Sequence, residues 1–175
     1  MQPAGSEPGL VLWRMKGNIG GVMKTLLVPV DFSGATRALL ATVEKLATPG
    51  ARVFFLHSLT PPIVTTDYGV GVEMLHETIA LARKTAVRQL EHLVKTAEAR
   101  GFKAAAILEN GPAAPAIVET ARKRKVDAIV LGAHGHTALY NLIIGSTTQA
   151  VLKKATCPVV VVPPARTRAV AKKKK

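Results

Sequence analysis

The amino-acid sequence predicts an α/β domain built on a parallel sheet covered by helices. Three observations lead there. Short apolar runs alternate with longer segments of helical period; the 175 residues fit one domain; and 48% of them are hydrophobic while only 4% are aromatic. Strands buried on both faces read as runs of Val, Leu, Ile and Ala, and strands alternating with helices mark βαβ units.

Taken in order, the pattern starts at Met23. The first strand is expected from Thr25 to Val30, with a turn at Asp31-Phe32-Ser33 and Ser33 as N-cap of a helix carrying Leu39, Leu40, Val43 and Leu46 on one face. Thr48-Pro49-Gly50 should stop that helix, and a second strand runs from Arg52 to Ser58. After a loop containing Pro61 and Pro62, a long helix is expected from about Glu73 to Arg100. Its apolar stripe (Leu75, Ile79, Ala82, Ala86, Leu90, Leu93, Ala97) steps by three or four, and Gly101 closes it as a left-handed cap. The third strand spans about Phe102 to Leu108, and the turn Asn110-Gly111-Pro112 leads to a helix opening near Pro115 with a basic end, Arg122 to Lys125, matched to the helix dipole. A fourth strand (Val126 to Leu131), a helix (Thr147 to Lys154) and a fifth strand (Pro158 to Val162) complete the chain.

The ends differ from the middle. Residues 1–22 are rich in Gly and Pro without strand or helix period and read as a flexible extension, 23–164 as the domain, and 165–175 as a basic tail. The formal charge of +13 is concentrated there: the last ten residues hold six bases, and 16 basic against 10 acidic residues remain between 23 and 165. A mildly basic domain with a solvated lysine tail argues against nucleic acid as a partner except through the tail. The single cysteine, Cys157, excludes an internal disulfide and fits a reducing compartment. No stretch approaches the roughly 18 apolar residues that span a bilayer. The apolar run from Gly9 to Trp13 is cut by Arg14 and Lys16 before it forms a signal-peptide core, so a cytoplasmic protein is expected.

The chemistry concentrates in residues 132–147. Gly132 and Gly135 follow a buried strand, where missing Cβ atoms let backbone turn tightly and approach a ligand. Gly145-Ser146-Thr147 opens a helix whose unpaired N–H groups and dipole favour an anion, phosphate above all. Ser146 with Gln149 three residues on also matches a capping box. His134 and His136, two apart with no Cys or acidic neighbour in sequence, make a poor metal site and read as loop residues flanking phosphate. His57 reads as a hydrogen-bonded structural histidine, Asp31 doubles as a turn acceptor, and His76 and His92 carry no pattern.

The spacing Gly132, Gly135, Gly145-Ser146 resembles the nucleotide-binding branch of the universal stress protein family, which carries Gly, two residues, Gly, nine residues, then Gly and Ser or Thr. Further matches are Val28-Pro29-Val30-Asp31-Phe32-Ser33, Leu56-His57-Ser58, Val126-Asp127 and Cys157-Pro158-Val159, so the resemblance covers about Met23 to Pro163. It implies a Rossmann-like (adenine nucleotide alpha hydrolase-like) domain, a five-stranded parallel sheet with helices on both faces and ATP across the strand ends. Pro29, Val30 and Asp31 would line the adenosine side, Ser58 would lend backbone to the adenine pocket, and Leu131, Gly132 and Gly135 would hold adenosine and phosphates. Gly145, Ser146 and Thr147 would hold the β and γ phosphates, with Mg²⁺ or Mn²⁺ arriving on the nucleotide. The family's frequent Val at the Ser58 position is absent, which points to a looser or wetter adenine pocket. By the same resemblance the last strand, Pro158 to Val162, would pair with its copy in a homodimer.

These readings imply a stress-response or signalling module whose ATP occupancy alters conformation, assembly or partner binding. Turnover is expected to be slow or absent, because no carboxylate besides Asp31 is placed to orient water and no Walker-type lysine is present. The alternatives are a nucleotide-independent stress protein acting through protein contacts, and an adenylyl-transfer or ATP-hydrolysing enzyme. Against the latter, the His134-Gly135-His136 order and its place after the fourth strand disagree with that chemistry's usual histidine pair.

Overall fold

The computed structural model describes residues 11–13, 23–60, 72–133 and 145–163. The elements in chain order are β1 (Val11–Trp13), β2 (Met23–Pro29), α1 (Thr36–Leu46), β3 (Ala47–Leu59), α2 (Val72–Glu98), β4 (Lys103–Asn110), α3 (Ala113–Arg124), β5 (Ala128–Gly132), α4 (Ser146–Lys154) and β6 (Val159–Val162). They form one sheet in the order β1-β6-β5-β2-β3-β4, in which the five strands β2 to β6 are parallel and β1 runs antiparallel to β6. The expected α/β fold with five parallel strands is thus the observed one, extended by a sixth strand.

Alternation along the strands explains the two layers of core. On one face Leu26, Val28, Val53, Phe55, Val130 and Val160 pack with Leu39 and Val43 of α1 and Leu90, Leu93 and Ala97 of α2. The other face carries Leu27, Phe54, Leu56, Ile129, Leu131, Val159 and Val161, covered by Ile117 and Ala121 of α3 and Val151 of α4. Successive side chains point to opposite faces, so a strand covered on both sides must be apolar at every position.

Several local expectations shift. The strand expected from Arg52 begins earlier: Ala47 already pairs with Met23, and Thr48-Pro49-Gly50 belongs to β3 within the register shift that precedes the Thr25–Arg52 pair, with Gly50 at φ +74°. Ser33 is not the N-cap of α1; the helix starts at Thr36 after Ala35, and Ser33 instead accepts through its carbonyl from the Thr36 N–H and hydroxyl. Pro115 sits in the third position of α3, behind Pro112 as N-cap, because Pro is tolerated throughout a first turn whose N–H groups have no helical partners. Ala82, read as part of the buried stripe of α2, is exposed, and among the described side chains of that helix the buried ones are Ala86, Leu90, Leu93 and Ala97. Gly101 closes α2 as expected, at φ +85°. Within the segment read as lacking period, Val11–Trp13 forms β1; three residues are too few to show a period, although Val, Leu and Trp all suit a strand.

The junction of β5 with β2 is fastened at its amino end by one carboxylate. Asp127 Oδ2 accepts from the backbone N–H groups of both Lys24 and Thr25 at 2.8 Å, while its own N–H donates to the Thr25 carbonyl at 2.8 Å. Cys157, just before β6, is partly buried, and that burial pushes its thiol above the ordinary value. No helix among the described residues is long and apolar enough to cross a membrane.

Two outcomes are expected. Asp127→Ala removes the acceptor shared by two N–H groups and should lower stability by about 1–3 kcal/mol in urea denaturation, with Asp127→Asn losing less. Cys157 should react with a disulfide reagent at pH 8 more slowly in the folded chain than in denaturant, because its burial disfavours the thiolate.

Candidate functional site

The strand order places a reversal between β2 and β5: the chain runs from β2 outward through β3 and β4, then returns to build β5 and β6 on the other side. Helices leave the carboxyl ends of these two strands toward opposite faces, which opens a crevice. A cleft of about 170 Å³ lies there. Its walls come from the strand ends Pro29 to Asp31, Leu56 to Ser58 and Leu131-Gly132, and from Ala35 and Leu39, Ala113 and Ile117, and Thr147 and Thr148.

Hydrogen bonds hold the β2 and β3 ends together. The Val30 N–H donates to the Leu56 carbonyl at 2.8 Å, and the Val30 carbonyl lies 2.8 Å from His57 Nδ1, which must therefore carry the proton. The His57 ring lies against Phe32, centroids 4.4 Å apart. Phe32 has φ 59°, a left-handed conformation rare for a bulky side chain, and the aromatic contact helps retain it. The turn is closed by Asp31, whose Oδ1 accepts from the Ser33 N–H at 3.0 Å; no described residue bonds its Oδ2.

On the β3–β4 side, the Gly111 carbonyl accepts from Ser58 Oγ at 2.7 Å and from Thr60 Oγ1 at 3.0 Å, and the Gly111 N–H donates to Leu59 at 2.7 Å. Gly111 has φ +102°, which an L side chain rarely adopts. The Ser58 hydroxyl has spent its one proton on Gly111, so toward the cleft it offers only lone pairs.

The opposite wall is the start of α4. Its first internal bond is from the Gln149 N–H to the Gly145 carbonyl at 2.9 Å, so the N–H groups of Ser146, Thr147 and Thr148 have no partner within the helix. Gly145 is the N-cap; no side chain caps the helix and its first turn holds no acidic residue. This corrects the capping-box reading: Ser146 is the first helical residue, one position too late to cap. Two bonds tie α4 to the end of β5, from Thr148 Oγ1 to the Gly132 carbonyl at 3.0 Å and from the Gly145 N–H to the Ala133 carbonyl at 2.9 Å.

Of the residues singled out in the sequence, Pro29, Val30, Asp31, Ser58, Leu131, Gly132 and Thr147 line this one cleft. Gly145 and Ser146 adjoin it at the head of α4 without being among its walls, and His134 and Gly135 lie outside the described residues. Sequence reasoning did not pick out Ala35, Leu39, Ala113, Ile117 or Thr148. The Ala113 position was signalled by the turn preceding α3 at the same sheet edge, whereas Thr148 was masked by the two hydroxyls before it. The arrangement combines an apolar floor, a hydroxyl acceptor at one end and, at the other, backbone donors that have no partner within their helix. Among the described residues no group of three or more His, Cys, Asp or Glu side chains could hold a metal.

The comparisons with known proteins agree with this architecture. Residues 23–163 match the family model described as the universal stress protein family. The chain is 32% identical to universal stress protein MJ0577 of Methanocaldococcus jannaschii over 152 residues, 79% of this chain and 94% of that protein. It is 29% identical to universal stress protein YxiE of Bacillus subtilis over 143 residues, 78% of this chain and 97% of the relative. The solved structure of MJ0577 superposes with a TM-score of 0.72 at 30% identity, covering 85% of this chain and all (100%) of that one. The universal stress protein UspA from Lactobacillus plantarum gives 0.61 at 28% identity, covering 82% and 99%. A universal stress protein solved in complex with cAMP shares the fold, with a TM-score of 0.59 at 20% identity over 83% of this chain and 100% of that one. With a family model spanning residues 23–163, the chain belongs to the universal stress protein family.

Proposed function

We propose that residues 23–164 form a nucleotide-binding stress-response or signalling module that takes ATP in the cleft between β2 and β5, with Mg²⁺ or Mn²⁺ carried in by the nucleotide. The observation that carries this reading is the convergence, in one crevice, of an apolar floor, the Ser58 acceptor and N–H groups at the head of α4 that have no partner within the helix. Phosphates would rest on the Gly132–Gly135 loop and on Gly145, Ser146 and Thr147, where the helix dipole and the first-turn N–H groups would stabilise negative charge. Leu131, Val30 and Pro29 would take the apolar faces of the nucleoside, and Asp31 Oδ2 would face ribose or the arriving cation. The cAMP bound by a protein of this fold supports a nucleotide as the ligand class.

Little or no turnover follows from the same residues. Among the described residues Asp31 is the one carboxylate on the cleft wall, and its Oδ1 is held in its own turn by the Ser33 N–H. Occupancy would therefore act by ordering the two turns around the ligand, which alters conformation, assembly or partner binding. The module would act in the cytoplasm, the reducing compartment that a single cysteine fits. Pairing of the last strand with its copy would give a homodimer.

Two expected outcomes test the reading. Titration calorimetry with ATP and Mg²⁺ should give saturable binding that Gly135→Val weakens at least about ten-fold, since a branched side chain would intrude on the phosphate loop; equal binding by both proteins would remove the assignment. Because the Ser58 hydroxyl can only accept, it suits the exocyclic amine of adenine and opposes the carbonyl of guanine. Ser58→Ala should reduce the ratio of ATP to GTP affinity by about three- to ten-fold, the worth of one hydrogen bond.

A further inference from the structure

The outer edge of β6 already has an occupant, and its register identifies what it displaces. On the inner side, the Ile129 N–H donates to the Pro158 carbonyl at 3.0 Å and the Ala133 N–H donates to the Val162 carbonyl at 2.8 Å. The N–H and C=O of one strand residue point the same way and alternate residues point oppositely. Pro158, Val160 and Val162 therefore address β5, and the backbone groups of Val159 and Val161 point outward. β1 pairs Val11 with Val161 and Trp13 with Val159, the two outward residues, with Leu12 opposite Val160.

A second copy of β6 could use that edge only in an antiparallel, two-fold arrangement in which each strand meets the other identically. Centred on Val160, such a pairing sets Val159 of one copy against Val161 of the other and the reverse. It needs the polarity that β1 has, the same two outward residues and the same three-residue span. Val11-Leu12-Trp13 stands where Val159-Val160-Val161 of a second copy would stand, and one edge admits one of them.

We propose that β1 competes with a second copy of this chain for the outer edge of β6, so that the N-terminal segment sets how readily the protein self-associates. This rests on the reading of β6 as the dimer strand. The competition is balanced rather than one-sided. β1 is short and contributes few hydrogen bonds, each of small net worth, but its tether gives it a high effective concentration. A second β6 is all valine and strand-prone, but must be recruited from solution. With neither present, β6 would show an open apolar edge of the kind that proteins keep covered.

Sedimentation equilibrium of three proteins tests this: the full chain, the chain lacking residues 1–22, and full-length Val11→Pro, which removes the β1 N–H that faces Val161 without changing length or charge. Both altered chains should dimerise at concentrations at least about ten-fold lower than the full chain does. Equal dimerisation of all three overturns the competition while leaving the β6 dimer standing. Persistent monomers of both altered chains, folded by circular dichroism, overturn the β6 dimer and the competition with it. Hydrogen exchange locates the edge: the Val159 and Val161 amides should be protected in the full chain at every dilution, and in Val11→Pro only at concentrations where it is dimeric. Dimers of Val11→Pro that leave those amides unprotected use another surface and overturn the proposal.

Discussion

A sheet covered by helices on both faces leaves polar chemistry only one place to go, and the rest of this structure follows from that constraint. Phe55, Leu26, Leu27 and Val130 are almost wholly buried, on alternating faces, so no strand interior can present a polar group without an unpaired cost. Polar groups are pushed to the strand ends. At the amino ends that means fastening, as where Asp127 holds the start of β2. At the carboxyl ends it means Asp31, His57, Ser58 and the head of α4, gathered where the strand order reverses.

That gathering was legible in the sequence to the extent that it depends on composition and spacing. Runs such as Leu26 to Val28 and Ala128 to Leu131 announce buried parallel strands, and the glycines at 132 and 145 mark where backbone must turn or start a helix. Bonds between segments distant in the chain were not legible. Nothing near Ser58 in sequence says that its proton goes to Gly111, and nothing near Ser146 says that Gly145 takes the cap while Thr148 reaches back to Gly132. Helix starts were misplaced for the same reason: at Ser33 and Pro115 a residue suited to a helix start was present, but the turn geometry of its neighbours decided where the helix began.

β1 is the plainest case. Three strand-forming residues in a stretch of Gly and Pro carry no period, and only the exposed backbone of Val159 and Val161 makes them a strand. The outer side of β6, which the sequence presents as a bare edge, is paired because a distant segment finds it. Local sequence and tertiary demand agree in the sheet's centre and part company at its margin, where pairing depends on which strand arrives.

The two bonds that anchor α4 to β5 have an architectural consequence. The backbone leaves at Ala133 and re-enters at Gly145, and those two residues are joined at 2.9 Å, so the span from 134 to 144 starts and finishes at one point. Closing a loop on fixed posts costs little more when the loop grows, about 0.6 kcal/mol for each doubling of its length. Insertions or replacements within that span leave its posts unmoved. A lineage could exchange the whole segment as a cassette while the frame beneath it stays as it is.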